Sequence, residues 1–172
     1  MNIITHSQNI YEIQNFLSDD EIEGILLSAD PNGFIESHPG NIVQDLIPDS
    51  LSFIPKISKR IMSCFDNAHS HTRITNIRRL KDGEYMSAHK DGGYPDSEQT
   101  IVFGIALYLN DDFTGGEISY PDLKISIKPK RSSMVIHDAK LLHQVLPVIS
   151  GSRYSITTFI FGEDSTKFLV KI

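Results

Sequence analysis

From Thr72 onward the chain breaks into short β-like runs separated by turn residues, and that texture limits the folds open to it. The runs fall at about 73–80, 84–89, 100–110, 116–121, 123–128, 132–137, 141–146 and 152–162. Strands this short and this evenly spaced predict two packed antiparallel sheets, as a sandwich or a jelly roll. Pro121-Asp122 reads as a tight turn between two of them. The chain before Thr72 is helical in pattern. Ser18-Asp-Asp-Glu21 is a capping box, in which the Ser hydroxyl accepts from the third helical N–H and Glu21 returns the bond. Ile22, Ile25, Leu26 and Ala29 follow at helical spacing, and Asp30-Pro31-Asn32-Gly33 ends the run. A second helix is predicted from about Leu51 to Asn67, with Ile54, Ile57, Ile61, Met62 and Phe65 on one side. Both helices are expected to pack on the outside of a sheet. The fold class is therefore mainly β with flanking helices. N-terminal helices fall within about 10–67, and a jelly-roll core spans about 72–162.

A chain of 172 residues suits one domain, 1–172, burying roughly 68–70% of its unfolded surface. Net charge is −6 and the isoelectric point about 5.6. That argues against nucleic acid as a partner, which would call for a basic face. Local basic clusters exist at Arg73, Arg78, Arg79 and Lys81, and at Lys124, Lys128, Lys130 and Arg131. Their default reading is solvated strand faces. The single cysteine, Cys64, excludes an internal disulfide and reads as a small buried hydrophobe. No basic segment followed by an apolar run opens the chain, and no apolar stretch reaches membrane-spanning length. No membrane contact is expected, and the location expected is the cytoplasm of a cell or of a virus-infected cell.

His89-Lys90-Asp91, then His143, then Arg153 carry the chemistry. Side chains two apart on a strand point the same way, so His89 and Asp91 reach one ion from a single strand end. His143 must come from a distant strand that the fold brings back. Two imidazoles and one carboxylate on one side of a metal leave its other positions open, the harness of non-haem iron(II) oxygenases. His137, followed by Asp138, competes for the third place. The pair His69 and His71 has no matching carboxylate and reads as solvated surface, while His6 and His38 have no context. The polar, turn-rich stretch Gly92-Gly-Tyr-Pro-Asp-Ser-Glu-Gln99 follows the His-x-Asp directly and is expected to form a mouth loop. Gly92, Gly93, Tyr94 and Pro95 are its candidate substrate-selecting residues. Gly115-Gly116 permits a sharp turn with φ > 0.

The blocks around these residues occur in a telling order. Leu80-Lys-Asp-Gly-Glu-Tyr-Met-Ser-Ala-His89 comes first, then Ile105-Ala-Leu-Tyr-Leu-Asn-Asp-Asp-Phe-Thr-Gly-Gly-Glu-Ile-Ser-Tyr-Pro121 and Ile127-Lys-Pro129. His143-Gln-Val-Leu-Pro-Val-Ile-Ser-Gly-Ser-Arg153-Tyr-Ser-Ile-Thr-Thr-Phe159 closes the series. Over roughly residues 74 to 162 this resembles the prolyl 4-hydroxylase-like branch of the iron(II)/2-oxoglutarate dioxygenases.

The resemblance implies a double-stranded β-helix with the site in its mouth. It implies iron(II) on His89, Asp91 and His143, the last preferred over His137 because Val-x-Pro-Val and Gly-x-Arg follow it. It implies 2-oxoglutarate and O2 as co-substrates, with ascorbate as a reductant that rescues oxidised iron. Arg153 is expected to grip the distal carboxylate of 2-oxoglutarate, since a guanidinium fork offers two parallel donors and stays charged when desolvated. Tyr108 aligns with a tyrosine that touches the same carboxylate, and Thr157 with a polar position near the metal or co-substrate. Leu80 and Met86 depart from the pattern, which often has tyrosines there; Tyr85 stands one residue off. The substrate implied is a prolyl residue of a peptide or protein, with a free amino acid or other small molecule as the alternative. Two other classes remain open: a cupin-like metal protein without oxygenase chemistry, and a degenerate relative that only binds. The intact set of His-x-Asp, His and Arg argues against both.

Overall fold

Alternation decides which side of each strand faces the core and which faces a cavity. The computed structural model describes residues 2–30, 32–38, 41–45, 53–66, 72, 74, 76–92, 100–162 and 169–170. The strands before the first large turn are β1 (Asn2–Ser7), β2 (Ile10–Gln14), β3 (Ile35–His38), β4 (Asn41–Asp45) and β5 (Phe65–Asp66). Among the described residues two helices interrupt them, α1 (Asp19–Ser28) and α2 (Ile54–Met62). Then come β6 (Asn76–Leu80), β7 (Met86–His89), β8 (Thr100–Tyr108), β9 (Thr114–Gly115) and β10 (Ile118–Tyr120). The chain closes with β11 (Ile125–Ile127), β12 (Met134–Asp138), β13 (His143–Val145), β14 (Val148–Ser150), β15 (Arg153–Gly162) and β16 (Leu169–Val170).

The major sheet has eight strands in the order β1-β2-β12-β8-β15-β6-β4-β3. The minor sheet has four, β11-β10-β13-β7. Two short pairs complete the set, β14 with β9 and β16 with β5. Two antiparallel sheets facing each other, with both helices against the outer face of the larger, make the jelly roll that the strand pitch predicts.

The helices bury one stripe each. Ile22 and Ile25 of α1, and Ile54, Ile57 and Ile61 of α2, pack with Phe103, Ile105 and Leu107 of β8, Met134 and Ile136 of β12, and Ile156 and Ile160 of β15. The intervening residues of the same strands point the other way. Ala106, Tyr108 and Val135 pack with Ile118, Tyr120 and Ile127 of the minor sheet. Gly104, His137, Arg153 and Thr157 line a cavity between the sheets.

The sequence and the structure differ at the N-terminus. Both expected helices form within about 10–67, over 19–28 and 54–62 among the described residues, but β2, β3 and β4 stand in the same span, where no strand is expected. The second helix is expected to run to Asn67, but the chain turns at Ser63-Cys64 and Phe65-Asp66 pairs with Leu169-Val170. Pro121-Asp122 does form the tight turn expected, between β10 and β11: a 3-10 turn over Pro121–Leu123 with Lys124 N–H donating to Pro121 O at 3.2 Å and Lys124 in the left-handed region, φ 55°. Cys64 is half-buried, and burial pushes its thiol up. The basic clusters are not all solvated. The Arg79 guanidinium lies 4.3 Å over the Phe34 ring, Arg131 binds Asp19 at 2.9 Å, and Arg78 turns into the cavity.

Both halves of the capping box form at α1. Glu21 N–H donates to Ser18 Oγ at 3.2 Å, and Ser18 N–H donates to Glu21 Oε2 at 2.9 Å. Arg60 of α2 also reaches that carboxylate at 2.8 Å, so the box ties the two helices together. Burial alone would raise Glu21, but Arg60 and Ser18 outweigh it and hold the carboxyl below its ordinary value. Ser18→Ala should therefore cost about 1 kcal/mol. Urea unfolding should show the loss as a lower midpoint with an unchanged slope.

Candidate functional site

The site is built where the two sheets come closest. β13 pairs with β7 so that His143 lies directly opposite His89. Opposed residues of an antiparallel pair have Cβ atoms about 4.5–5.5 Å apart on the same face. The two imidazoles follow, with ring centroids 4.4 Å apart. Asp91 enters two residues after His89, its backbone N–H fixed to the Ala139 carbonyl at 3.0 Å. One ligand atom from each of His89, Asp91 and His143 lies within 4.8 Å of the others. The Nε2 atoms stand 3.8 Å and 3.7 Å from Asp91 Oδ1.

Hydrogen bonds settle which nitrogen of each ring faces inward. His89 Nδ1 donates to Ser87 O at 2.8 Å and His143 Nδ1 donates to Leu141 O at 3.0 Å. A carbonyl only accepts, so each Nδ1 carries a proton, and in the neutral ring it is Nε2 that offers the lone pair. Burial and the neighbouring His137 push His143 down to about 4, with Asp91 pulling the other way. At neutral pH the ring is uncharged, as a metal ligand must be.

Asp91 is held from behind. Its Oδ2 accepts from His137 Nε2 at 3.1 Å, and His137 Nδ1 accepts from the Tyr120 hydroxyl at 3.1 Å. Burial, then the Tyr108 and Asp91 charges, push Tyr120 well above its usual value, so its hydroxyl is a donor. That fixes the His137 tautomer with its proton toward Asp91. Burial works to raise Asp91, but the His137 hydrogen bond and the three nearby histidines hold it below the ordinary carboxylate range. His137 is thus engaged with Asp91 from the rear and lies outside the three-residue group. The sequence offers it only as a less favoured rival to His143, and its role behind Asp91 has no local signal.

Gly104 makes that arrangement fit. A Cβ there would lie 2.2 Å from Asp91 Oδ2 and 2.4 Å from His137 Nε2. The signal was present in the sequence as a lone glycine inside the apolar run Ile101–Leu109, which marks a close approach.

The cavity of about 50 Å³ is also lined by Arg78, Met86, Ile118, Val145, Arg153, Thr157 and Phe159. Arg153 is 2% exposed. Its Nε donates to Gly116 O at 3.1 Å and its Nη1 to Ser155 Oγ at 2.9 Å. Gly115 and Gly116 have φ of 74° and 66°, the turn expected of this pair. A Cβ on Gly116 would stand 3.0 Å from Arg153 Cδ, so the turn cradles the arginine. The guanidinium carbon sits 5.0 Å over the Tyr108 ring. Burial lowers the basicity of Arg153 and Tyr108 partly restores it. An arginine stays charged under such a shift. Tyr108 is fully buried, and its hydroxyl forms no hydrogen bond of proper geometry although Arg153 is near. A buried unpartnered hydroxyl beside a buried cation fits an anion placed between them.

Thr157 is half-buried on the cavity wall. Leu80 is fully buried against Met86, Val145 and Val148, while Tyr85 is 54% exposed and lines no part of the cavity. Gly92 is exposed, with open space around it. Gly93, Tyr94 and Pro95 lie outside the described residues, as do His69 and His71. His6 binds Glu12 at 2.9 Å and lines no part of the cavity.

No protein-family model matches the chain, and no curated protein does. Solved structures do. A viral collagen prolyl hydroxylase from Paramecium Bursaria Chlorella virus-1, in its 2-oxoglutarate complex, is 26% identical with a TM-score of 0.75. The match covers 91% of this chain and 98% of that one. A Trichoplax adhaerens prolyl hydroxylase, in complex with a hypoxia inducible factor peptide fragment, shares the fold at 16% identity and a TM-score of 0.69, over 90% of this chain and 84% of that one. A Pseudomonas putida prolyl-4-hydroxylase does so at 15% and 0.66, over 90% and 93%.

Gly104→Ala tests the rear support. The added methyl must displace Asp91, because His137 is fixed by Tyr120 and cannot give way cheaply. Divalent-metal affinity, read by calorimetry, should fall roughly 10–100-fold, as when an outer partner of a ligand is lost. Far-ultraviolet circular dichroism should stay that of the parent.

Proposed function

We propose, for a chain that is an iron(II)/2-oxoglutarate-dependent dioxygenase of the prolyl 4-hydroxylase-like kind, that it hydroxylates a prolyl residue in a peptide or protein. One observation carries the site assignment: His89, Asp91 and His143 gather in the same small cavity that holds the buried Arg153. Two imidazoles and a carboxylate suit iron(II) and leave its remaining positions open. Iron(II) with 2-oxoglutarate and O2 supplies the oxidation, which converts 2-oxoglutarate to succinate and CO2 and a C–H bond to a C–O–H.

The chain's own residues bind, orient and exclude water. His89 and His143 offer Nε2 lone pairs, and Asp91 offers Oδ1 while Oδ2 stays on His137. Arg153 receives the distal carboxylate of the co-substrate, with the Tyr108 hydroxyl as a second donor. Thr157 lies on the wall beside them, and Ile118, Val145 and Phe159 keep that wall dry. Desolvation strengthens each of these pairings. The primary substrate presents its C–H bond from the mouth, where His89 is the open side of the triad at 36% side-chain exposure. The prolyl reading is supported by the likeness to a viral collagen prolyl hydroxylase.

The test is turnover of 2-oxoglutarate by the iron(II)-loaded protein, with and without a panel of proline-rich peptides. Incorporation of one oxygen into a peptide proline is the expected result. Turnover stimulated only by free amino acids would overturn the peptide assignment. His89→Ala, Asp91→Ala and His143→Ala should each abolish turnover while the fold survives, since the site is an open cavity and not a structural metal cage. Retained activity in His143→Ala would remove that residue from the ligand set. Arg153→Ala should weaken 2-oxoglutarate by roughly 2–5 kcal/mol and leave metal affinity near that of the parent.

A further inference from the structure

Arg78 is a second guanidinium inside the cavity, and the sequence gives it no obvious reason to be there. It lies on β6 and lines the same wall as Arg153. Its Nε is buried with no hydrogen-bond partner. Its Nη1 meets Met86 Sδ at 3.3 Å, and a thioether is a weak acceptor. Of the cavity-lining residues Asp91 alone is a carboxylate, set against two guanidiniums, and its Oδ2 is already taken by His137. Burial and the nearby Arg153 charge pull Arg78 down to about 10, with Asp91 working the other way. It therefore remains a cation at neutral pH.

The register shows where this cation points. Arg78 is paired with Ser155 of β15, and Ser155 is paired on its other side with Tyr108 of β8. The three residues form one row across the sheet, on one face. Arg153, two residues before Ser155, faces the same side, and its Nη1 donates to Ser155 Oγ. Its guanidinium is thereby drawn toward the row that Arg78 opens and Tyr108 closes. Two like charges held together in a desolvated cavity repel each other, and an anion between them removes that cost. The unpartnered Arg78 Nε and the unpartnered Tyr108 hydroxyl flank Ser155 from opposite sides.

We propose that Arg78 is a specificity-determining residue for the co-substrate, so that the distal carboxylate of 2-oxoglutarate is bracketed by Arg78 and Arg153. This rests on the reading of the cavity as the 2-oxoglutarate site. It adds that the chain selects dicarboxylate 2-oxo acids with two guanidiniums and a tyrosine. Met86, beside Arg78, contributes no strong acceptor that would divert the charge.

The experiment measures binding, not turnover. The protein is loaded with a divalent metal and titrated by calorimetry with 2-oxoglutarate and with 2-oxobutyrate, which lacks the distal carboxylate. Arg78→Met, Arg78→Lys and Arg153→Met are compared with the parent. Arg78→Met should weaken 2-oxoglutarate by about tenfold or more and leave 2-oxobutyrate nearly unchanged. Arg78→Lys should recover part of the loss, since it keeps the charge without the fork. Unchanged 2-oxoglutarate affinity in Arg78→Met overturns the proposal. So does equal weakening of both acids, which would place Arg78 at the chelating end or in a purely structural role. If Arg78→Met fails to fold, the Lys variant decides: it must lose dicarboxylate preference, or the proposal falls. A parent protein that binds no 2-oxoglutarate, or an Arg153→Met variant that binds it normally, would instead overturn the reading of the cavity itself.

Discussion

The structure depends on one antiparallel pairing, that of His143 with His89. The two residues are far apart in the chain, and only the minor sheet brings them opposite each other. Once they are opposed, the remaining geometry is short-range. Asp91 follows His89 by two residues, and the Ala139 carbonyl fixes its backbone. A slip of one residue in this register would send one imidazole to the other face and leave a half-site. The packing around the pair works against a slip. Val145 meets Met86 two positions along, and both are buried with Leu80 and Val148.

The central strands of the major sheet serve two masters, and alternation keeps them apart. On β8 and β15, Ile105, Leu107, Ile156 and Ile160 carry the helices, while Gly104, Tyr108, Arg153 and Thr157 face the cavity or its rear wall. The helical side supplies most of the apolar burial. The cavity side can therefore hold a buried arginine and a buried histidine, groups that cost free energy unless each is partnered. Arg153 has Gly116 O and Ser155 Oγ, and His137 has Tyr120 and Asp91.

Much of this was legible in the sequence because it is encoded locally. The capping box is four residues long, the His-x-Asp three, and the β-like runs at 100–110 and 152–162 are each bounded by their own turn residues. What escaped was encoded over long range. β2 lies in the span read as helical, and with Ile10, Glu12 and Ile13 all buried it lacks the alternation that marks a strand. It is a strand because β12 pairs with it, more than a hundred residues later. Arg78 reads as one of a cluster of surface cations. It faces inward only because its cross-strand neighbour is Ser155. His137 reads as a rival ligand because sequence shows residue types and order, while its distance to Asp91 belongs to the paired β8 and β12. Leu80 and Met86 were visible as departures from a pattern, but the side chain that fills the neighbouring space was not.

Asp91 shows how a single carboxylate can serve two functions without compromise between them. Its two oxygens face opposite ways, Oδ2 toward His137 and Oδ1 toward the imidazoles of His89 and His143. The rear bond lowers the energy of the ionised form and fixes the rotation of the group, so the forward oxygen is presented without searching. The absence of a side chain at Gly104 is what leaves room for the rear bond. The chain of support thus runs from a tyrosine in the minor sheet, through a histidine on the major sheet, to a carboxylate in the gap between them. Each sheet positions part of the site, and the hydrogen bonds that cross the gap also fix the spacing of the sheets there. The geometry offered to a metal and the separation of the two sheets are consequently one constraint, and a change that loosens either must loosen both.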